Sequence, residues 1–281
     1  MKKFIAAFDG LKFSEGTLYY AIYLAKHSNA HLVGVFLEDF TRHSYSIADI
    51  TRYEGDEFER HMHDLNERDK EERNESIDRF EQMCQSMSVN YTVHRDRNVA
   101  LQELLHESIY ADLLIIDGTE TMTRYEEETP TRFIRELLSD VQCPVVIVPA
   151  QYKAINKIIL LYDGEPSSVH AARTFSYLFD SANEIQTQIL TVKSREESLH
   201  VPDNHLMKEF IKRHYPQAEY VVLRGDAENE ITQFLHREKK DPLVVLGAYR
   251  RTKLSRLFKP SMADYLMQHL KMPLFIAHNK S

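Results

Sequence analysis

The sequence predicts an α/β fold made of two tandem doubly wound domains, each with a five-stranded, mostly parallel sheet and helices on both faces. Three observations lead to this prediction. The apolar segments are continuous rather than alternating, which is typical of parallel strands buried on both faces. Each strand-like run is followed by a segment with helical spacing of apolar residues. The order of these segments in the first half of the 281-residue chain recurs in the second half.

The repeat begins with the first strand of each half. An apolar run ends in Asp-Gly at Asp9 and again at Asp163, and a polar turn and an amphipathic helix follow each time. The further apolar runs are residues 31–36, 91–93, 112–118 and 143–149 in the first half, and 188–192, 220–223, 241–247 and 272–278 in the second. We therefore expect domains at residues 1–150 and 151–281, with the boundary near Pro149 to Ala154, where the chain turns polar.

One segment after the second strand of the first half breaks the symmetry. Residues 52–85 are highly charged, with sparse apolar residues among them. Charges of opposite sign three and four positions apart predict a long exposed helix. The corresponding segment of the second half, residues 194–214, is shorter and contains Pro202.

The closing strands predict how the halves meet. Val145 to Val148 and Leu274 to Ala277 are apolar and contain no charged residue. Exposed edges of this kind promote aggregation unless they are covered. Two edge strands related by a pseudo-two-fold axis can pair antiparallel, so that each covers the exposed edge of the other. We therefore expect a pseudo-dimer within one chain, with these strands at its centre.

Composition excludes several classes of protein. The net charge of −8 argues against general binding of nucleic acid or an anionic membrane, since both need an excess of Lys and Arg. The apolar run at residues 4–8 is too short, and too soon followed by polar residues, to predict a signal peptide, and no apolar run is long enough to span a bilayer. Cys84 and Cys143 form no C-x-x-C pair, which is typical of a reducing compartment. Together these features predict a cytoplasmic protein.

Two segments of the second half carry a family resemblance that extends over almost the whole chain. The loop from Gly247 to Ala263, which runs into the last helix, and the turn from Arg224 to Ile231 resemble those of the universal stress protein family. The resemblance implies a tandem member of this family, with the fold of the adenine nucleotide alpha hydrolases. Members that bind nucleotides carry a G-x2-G-x9-G-[S/T] loop, whose glycines let backbone N–H groups approach phosphate oxygens.

The loops of this chain depart from that pattern. Gly247 keeps the first glycine position and Ser261 keeps the hydroxyl, but Arg250 and Pro260 replace the second and third glycines. Proline also removes an N–H donor. In the first half Gly118 is kept, and the loop after it contains the three glutamates of residues 126–128, which would repel a triphosphate.

The resemblance implies a nucleotide pocket in the second half, formed by Asp163, Val192, Gly247, Arg250 and Ser261. Weak binding of ATP or AMP is the ligand hypothesis. A second interpretation assigns Asp163 to a tight turn that caps the next helix. For Asp163 the two interpretations stand equally, and for Asp9 the turn is favoured.

The basic residues of the same loop also have two interpretations. They can replace lost backbone donors for an anion, or they can form a solvated surface, which we favour. The members of this group are Arg250, Arg251, Lys253, Arg256 and Lys259. His61 and His63 are two apart, so their rings would lie on different helix faces, and we expect no metal site.

The functional hypothesis is a stress-response protein that senses a ligand or acts as a scaffold, and is not an enzyme. No nucleophile elbow, Walker A loop or H-E-x-x-H motif is present, so no catalytic residue is nominated. The alternatives are a nucleotide-independent protein-interaction module and, least favoured, a nucleotide hydrolase. A homo-oligomer and an unidentified protein partner are the remaining hypotheses about assembly.

Overall fold

The predicted strands form one ten-stranded sheet, to which each half of the chain contributes five. The computed structural model describes residues 1–38, 43–45, 51–96, 98–179, 185–194, 201–247 and 261–277. The first half supplies β1 (Lys3–Asp9), β2 (His31–Leu37), β3 (Tyr91–Asp96), β4 (Leu113–Asp117) and β5 (Val145–Val148). The second half supplies β6 (Lys157–Leu161), β7 (Thr187–Lys193), β8 (Glu219–Arg224), β9 (Pro242–Gly247) and β10 (Leu274–Ala277).

The strand order repeats between the halves. Across the sheet it is β3-β2-β1-β4-β5-β10-β9-β6-β7-β8, so each half places its first strand in the middle of its own five. All neighbours within a half are parallel. The two outer strands are the more exposed ones, and most residues of the strands between them are buried. The predicted α/β class with a mostly parallel sheet is confirmed.

The helices of the described ranges cover both faces of the sheet. They are α1 (Glu15–Ser28), α2 (Gly55–Ser86), α3 (Ala100–Ile109), α4 (Arg132–Asp140), α5 (Pro166–Leu178), α6 (Asn204–His214), α7 (Ala227–Arg237) and α8 (Met262–His269). Buried side chains of α1, α2, α5 and α6 pack in one apolar layer, and those of α3, α4, α7 and α8 pack in the other. Each layer runs through both halves of the chain.

The halves meet through β5 and β10. These strands pair antiparallel, with Val146 opposite Phe275 and Ile147 opposite Leu274. Val146 and Phe275 are fully buried. The edge-to-edge pairing predicted from the sequence is therefore present, and the pseudo-dimeric arrangement follows from it. The division at residues 150 and 151 stays a prediction, because the sheet and both apolar layers continue across it.

Helix α2 is the charged segment identified in the sequence. Its 32 residues give a length of roughly 48 Å. Residues 55–68 contain no buried side chain, whereas Ile77, Phe80 and Cys84 enter the apolar layer. Only the C-terminal part of the helix is thus held by apolar packing. The charged side chains of residues 55–68 lie at an exposed or partly exposed surface.

Candidate functional site

The candidate site lies at the carboxyl ends of the parallel strands, where doubly wound folds bind their ligands. In the second half, Asp163 follows β6, Gly247 ends β9, Val192 lies near the end of β7 and Ser261 precedes α8. Val192 is partly buried against an apolar layer. Arg250 and the rest of the basic loop lie outside the described residues.

The carboxylate of Asp163 makes a turn contact. Its Oδ1 accepts a hydrogen bond from the N–H of Glu165 at 2.9 Å, and Gly164 between them has a φ of +88°. Asp9 makes the same contact in the first half, to the N–H of Leu11 at 2.9 Å. The two acids differ in their surroundings, since Asp163 is exposed and Asp9 is only 1% exposed.

Gly247 has a packing role that sequence reasoning missed. A Cβ atom at this position would lie 2.4 Å from the backbone carbon and oxygen of Ser167 near the start of α5. The helix backbone can approach β9 this closely only because residue 247 has no side chain. The absence of a side chain here is therefore required with or without a phosphate ligand.

Ser261 caps α8 in a closed arrangement. Its hydroxyl accepts the N–H of Asp264 at 3.1 Å and donates to Oδ2 of Asp264 at 2.9 Å. The same carboxylate oxygen accepts the N–H of Ser261 at 3.0 Å. A carboxylate of the chain thus uses the hydroxyl and the N–H that the family pattern offers to phosphate.

In the first half, too, a carboxylate of the chain accepts hydrogen bonds from backbone N–H groups of the corresponding loop. Oε1 of Glu120 accepts the N–H groups of Thr121 and Met122, at 2.9 and 2.8 Å. These N–H groups lie at and just after the second glycine position of the family loop, so Glu120 occupies donors of the kind that phosphate would take. The sequence signal was an acid between the first two glycine positions, and it was not recognised.

Glu120 is buried, with 4% of its surface exposed. Burial raises the pKa of its carboxyl to about 7, the charge of Asp9 adds to the rise, and the two backbone N–H groups oppose it. Nearby, Asp117 accepts hydrogen bonds from the hydroxyl of Ser14 and from the N–H and hydroxyl of Thr119, each at 2.8 Å. This edge is an acidic cluster with internal partners.

Helix α2 covers the neighbouring part of the first-half edge. The Cγ of Arg73 lies 2.9 Å from the position of a Cβ on Gly10, and the hydroxyl of Ser76 donates to the Gly10 carbonyl at 2.9 Å. The guanidinium of Arg73 also lies 3.6 Å from the buried carboxylate of Glu38, which Arg95 contacts at 2.9 Å. The charged helix therefore lies over the strand end at which a ligand would enter.

The histidines of α2 and the two cysteines are the remaining residues considered as metal ligands or reactive groups. Within those residues no group of three or more His, Cys, Asp or Glu could hold a metal ion. The His61 ring instead lies 4.2 Å from that of Tyr53. Burial raises the pKa of the Cys84 and Cys143 thiols to about 12, so neither is a reactive thiolate near neutral pH.

The described helices were also compared with the requirements of a membrane span. No helix in the described ranges is both long enough and apolar enough to cross a membrane.

Fold and site together define a class: a tandem doubly wound α/β protein whose candidate site lies at the carboxyl ends of its parallel strands. A family model described as the universal stress protein family matches residues 153–278. The second half of the chain is thus similar to the universal stress protein family, and the first half repeats the strand order of the second. The resemblance seen in the sequence is confirmed.

Solved structures show the same fold over nearly the full chain. A universal stress protein from Archaeoglobus fulgidus superposes with a TM-score of 0.71 at 13% identity, covering 98% of each chain. A functionally unknown protein from Pseudomonas aeruginosa PAO1 gives 0.62 at 11% identity, covering 99% of this chain and 92% of that one. A putative universal stress protein from the same species gives 0.58 at 12% identity, covering 99% and 93%. No curated protein matches the chain.

Proposed function

We propose that the chain is a non-catalytic stress-response protein that senses a ligand or acts as a scaffold, and that its second half binds ATP or AMP weakly. The match of residues 153–278 to the universal stress protein family supports the stress-response role. The nucleotide site is the one assigned by resemblance to Asp163, Val192, Gly247, Arg250 and Ser261.

The different exposure of Asp163 and Asp9 is the reason for placing the nucleotide site in the second half. Asp163 is exposed at the end of β6, whereas Asp9 is buried at the end of β1, beside the turn that α2 covers. Among the described residues, the group that lies against the turn at Gly164 is Pro202, in the segment before α6, rather than a side chain of a long helix. The first edge would need Arg73 and Ser76 to leave Gly10 and the Glu120 carboxylate to leave its two N–H donors.

The weakness of binding follows from Asp264. Its carboxylate lies at the N-terminus of α8, where a phosphate would otherwise be stabilised by the helix dipole and by Ser261. A negative charge already at this position repels a second one and uses the available donors. The second half therefore offers phosphate a poorer site than an open glycine loop would.

The test is calorimetric titration with ATP and AMP of the parent chain, Asp264→Asn and the matched Glu120→Gln. Asparagine at this third helical position keeps an oxygen acceptor for the N–H of Ser261 but removes the charge. We expect weak binding by the parent and about tenfold tighter binding by Asp264→Asn, the size of one removed repulsion of ~1.4 kcal/mol. Glu120→Gln should bind as the parent does. Equal tightening by both variants would overturn the choice of half.

The Ser261–Asp264 capping box favours a second candidate, a nucleotide-independent interaction module. Both polar groups of Ser261 have partners within the chain, so α8 is complete without an anion. Mass spectrometry of small molecules released from the purified, heat-denatured protein separates the candidates. Release of a nucleotide supports the first. An empty protein, together with no titration signal from Asp264→Asn, supports the second.

A further inference from the structure

A cavity lies between the two halves, and neither Asp9 nor Asp163 lines it. Its volume is about 420 Å³, within the range of ligand sites. One wall comes from the first half: the start of the loop after β4, the end of β5 and the linker that follows it. The other wall comes from the second half, at the end of α8 and the start of β10. Cavities at the junction of two domains are preferred places for ligands.

The cavity exists because the halves are paired. The antiparallel contact of β5 with β10 places Ile147 opposite Leu274, and both residues line the cavity. A second link crosses it, since the hydroxyl of Thr129 donates to the carbonyl of Met267 at 3.1 Å. The site is therefore made of residues from both halves and depends on their arrangement.

The lining combines apolar and basic side chains. Met267, Leu270 and Met272 supply apolar surface, and polar groups come from the side chains of residues 119, 129, 151, 268 and 269. The charged lining residues are Lys153 and Lys271, and no Asp or Glu is among the described residues of the wall. In a chain of net charge −8, a wall with only cationic charges is a departure from the average surface.

The two lysines are available to a ligand. Lys153 contacts Asp241 at 3.0 Å, but both side chains are about half exposed, and exposed pairs of this kind contribute little. Lys271 is exposed and makes no hydrogen bond or ion pair with any residue in the described ranges. An anion can therefore approach either lysine with only a small loss of existing contacts.

We propose that this cavity binds a small amphipathic anion, a carboxylate or phosphate joined to an apolar body. The apolar body lies against the methionine and leucine side chains, and the charged group lies at Lys153 and Lys271. The site is separate from the proposed nucleotide site, because it uses the junction of the halves rather than the ends of β6 and β9.

The probe is 8-anilinonaphthalene-1-sulfonate, an amphipathic anion whose fluorescence rises on burial. We expect saturable binding by the full chain, weakened about tenfold in Lys271→Glu through reversal of one charge at the site. Lys26→Glu reverses another exposed charge, on α1 and outside the cavity, and should bind as the parent does. Decanoate and 1-naphthyl phosphate, added as competitors, identify which anionic group is preferred. Displacement by either supports the proposal, and displacement by neither contradicts it.

The place of binding is tested with single tryptophans, because the chain contains none. Gln151→Trp, or Gln268→Trp if the first variant fails to fold, puts the only indole at the cavity. Glu219→Trp puts it on β8, four strands from β10 and thus about 19 Å away in the sheet. We expect stronger energy transfer to the bound probe from the cavity position. Equal transfer from both positions, or equal binding by Lys271→Glu and Lys26→Glu, overturns the proposal.

Discussion

Glu120 and Asp9 are both buried acids in the first half, and burial together with the charge of Asp9 raises the pKa of the Glu120 carboxyl to about 7. A carboxyl whose pKa is higher in the folded chain than in the unfolded one favours folding most at low pH. Its contribution is fully present below the unfolded pKa, near 4.5, and is lost as the pH rises through 7.

The first prediction concerns this pH dependence. Between pH 4.5 and 8 the ionisation of Glu120 should lower the free energy of unfolding by about 3 kcal/mol. Glu120→Gln keeps an oxygen acceptor for Thr121 and Met122 but cannot ionise, so this part of the pH dependence should disappear. Urea unfolding at pH 5 and pH 8 measures it, with Glu126→Gln, an exposed acid of the same loop, as the control. An unchanged pH dependence in Glu120→Gln would show that the acid is ionised at little cost.

The second prediction concerns the central strands. Val146 and Phe275 are directly opposite each other and fully buried, so Val146→Lys with Phe275→Lys would bury two like charges. We expect a loss of about 5 kcal/mol or more, comparable with the whole stability of a typical domain, and aggregation through the freed edges. Thermal unfolding and size-exclusion chromatography measure this. Met87→Lys, on an exposed residue, is the control. A double variant as stable and monodisperse as the parent would mean that the halves do not meet here.

The third prediction separates packing from ligand binding at Gly247. In the absence of nucleotide, Gly247→Ala should lower stability by about 1 to 3 kcal/mol, because the new methyl group meets the backbone of Ser167. Gly118→Ala, the counterpart in the first half, meets the methyl group of Ile147 at 2.9 Å and the Val148 carbonyl oxygen only at an ordinary 3.7 Å, and should be milder. Denaturant unfolding of the two variants makes the comparison. If both variants have nearly the parent's free energy of unfolding, Gly247 has no packing role, and ligand approach remains as the reason for a glycine here.

The fourth prediction concerns an ion pair that recurs in both halves. Lys157 begins β6 and contacts Glu238, with only 6% of its side chain exposed, whereas Lys3 begins β1 and contacts Glu107 with 30% exposed. Burial is the largest single influence and opposes the charge of Glu238. The hydrogen bond and charge of Lys157, together with the backbone N–H groups of Lys240 and Lys239, outweigh it, so the pKa of Glu238 is lowered.

Removing one partner of a buried pair leaves the other charge uncompensated, so Lys157→Met should cost about 3 kcal/mol at neutral pH. Lys3→Met removes a more exposed pair and should cost about 1 kcal/mol or less. The Glu238 contribution is present above its unfolded pKa and is lost as the pH falls, so the gap between parent and Lys157→Met should narrow on acidification. Unfolding titrations at pH 7 and pH 4 test this. A gap that stays constant would assign the effect to packing.

The sequence by itself determined the fold class, the repeat and the pairing of the halves. Continuous apolar runs bury both strand faces wherever they occur, and two uncharged closing strands need a cover, so these features depend on local pattern. The charged run at residues 52–85 likewise determined a long helix through contacts three and four positions apart.

Only the tertiary structure decided what surrounds the candidate sites. Glu120 and Asp9 are 111 positions apart in the chain, and no local pattern shows that the fold buries both of them or that the charge of one bears on the other. The contact of Gly247 with Ser167, the position of Arg73 over Gly10 and the cavity between the halves have the same origin. Each depends on how closely separate elements pack, and that distance is fixed by the whole core rather than by the residues of any one motif.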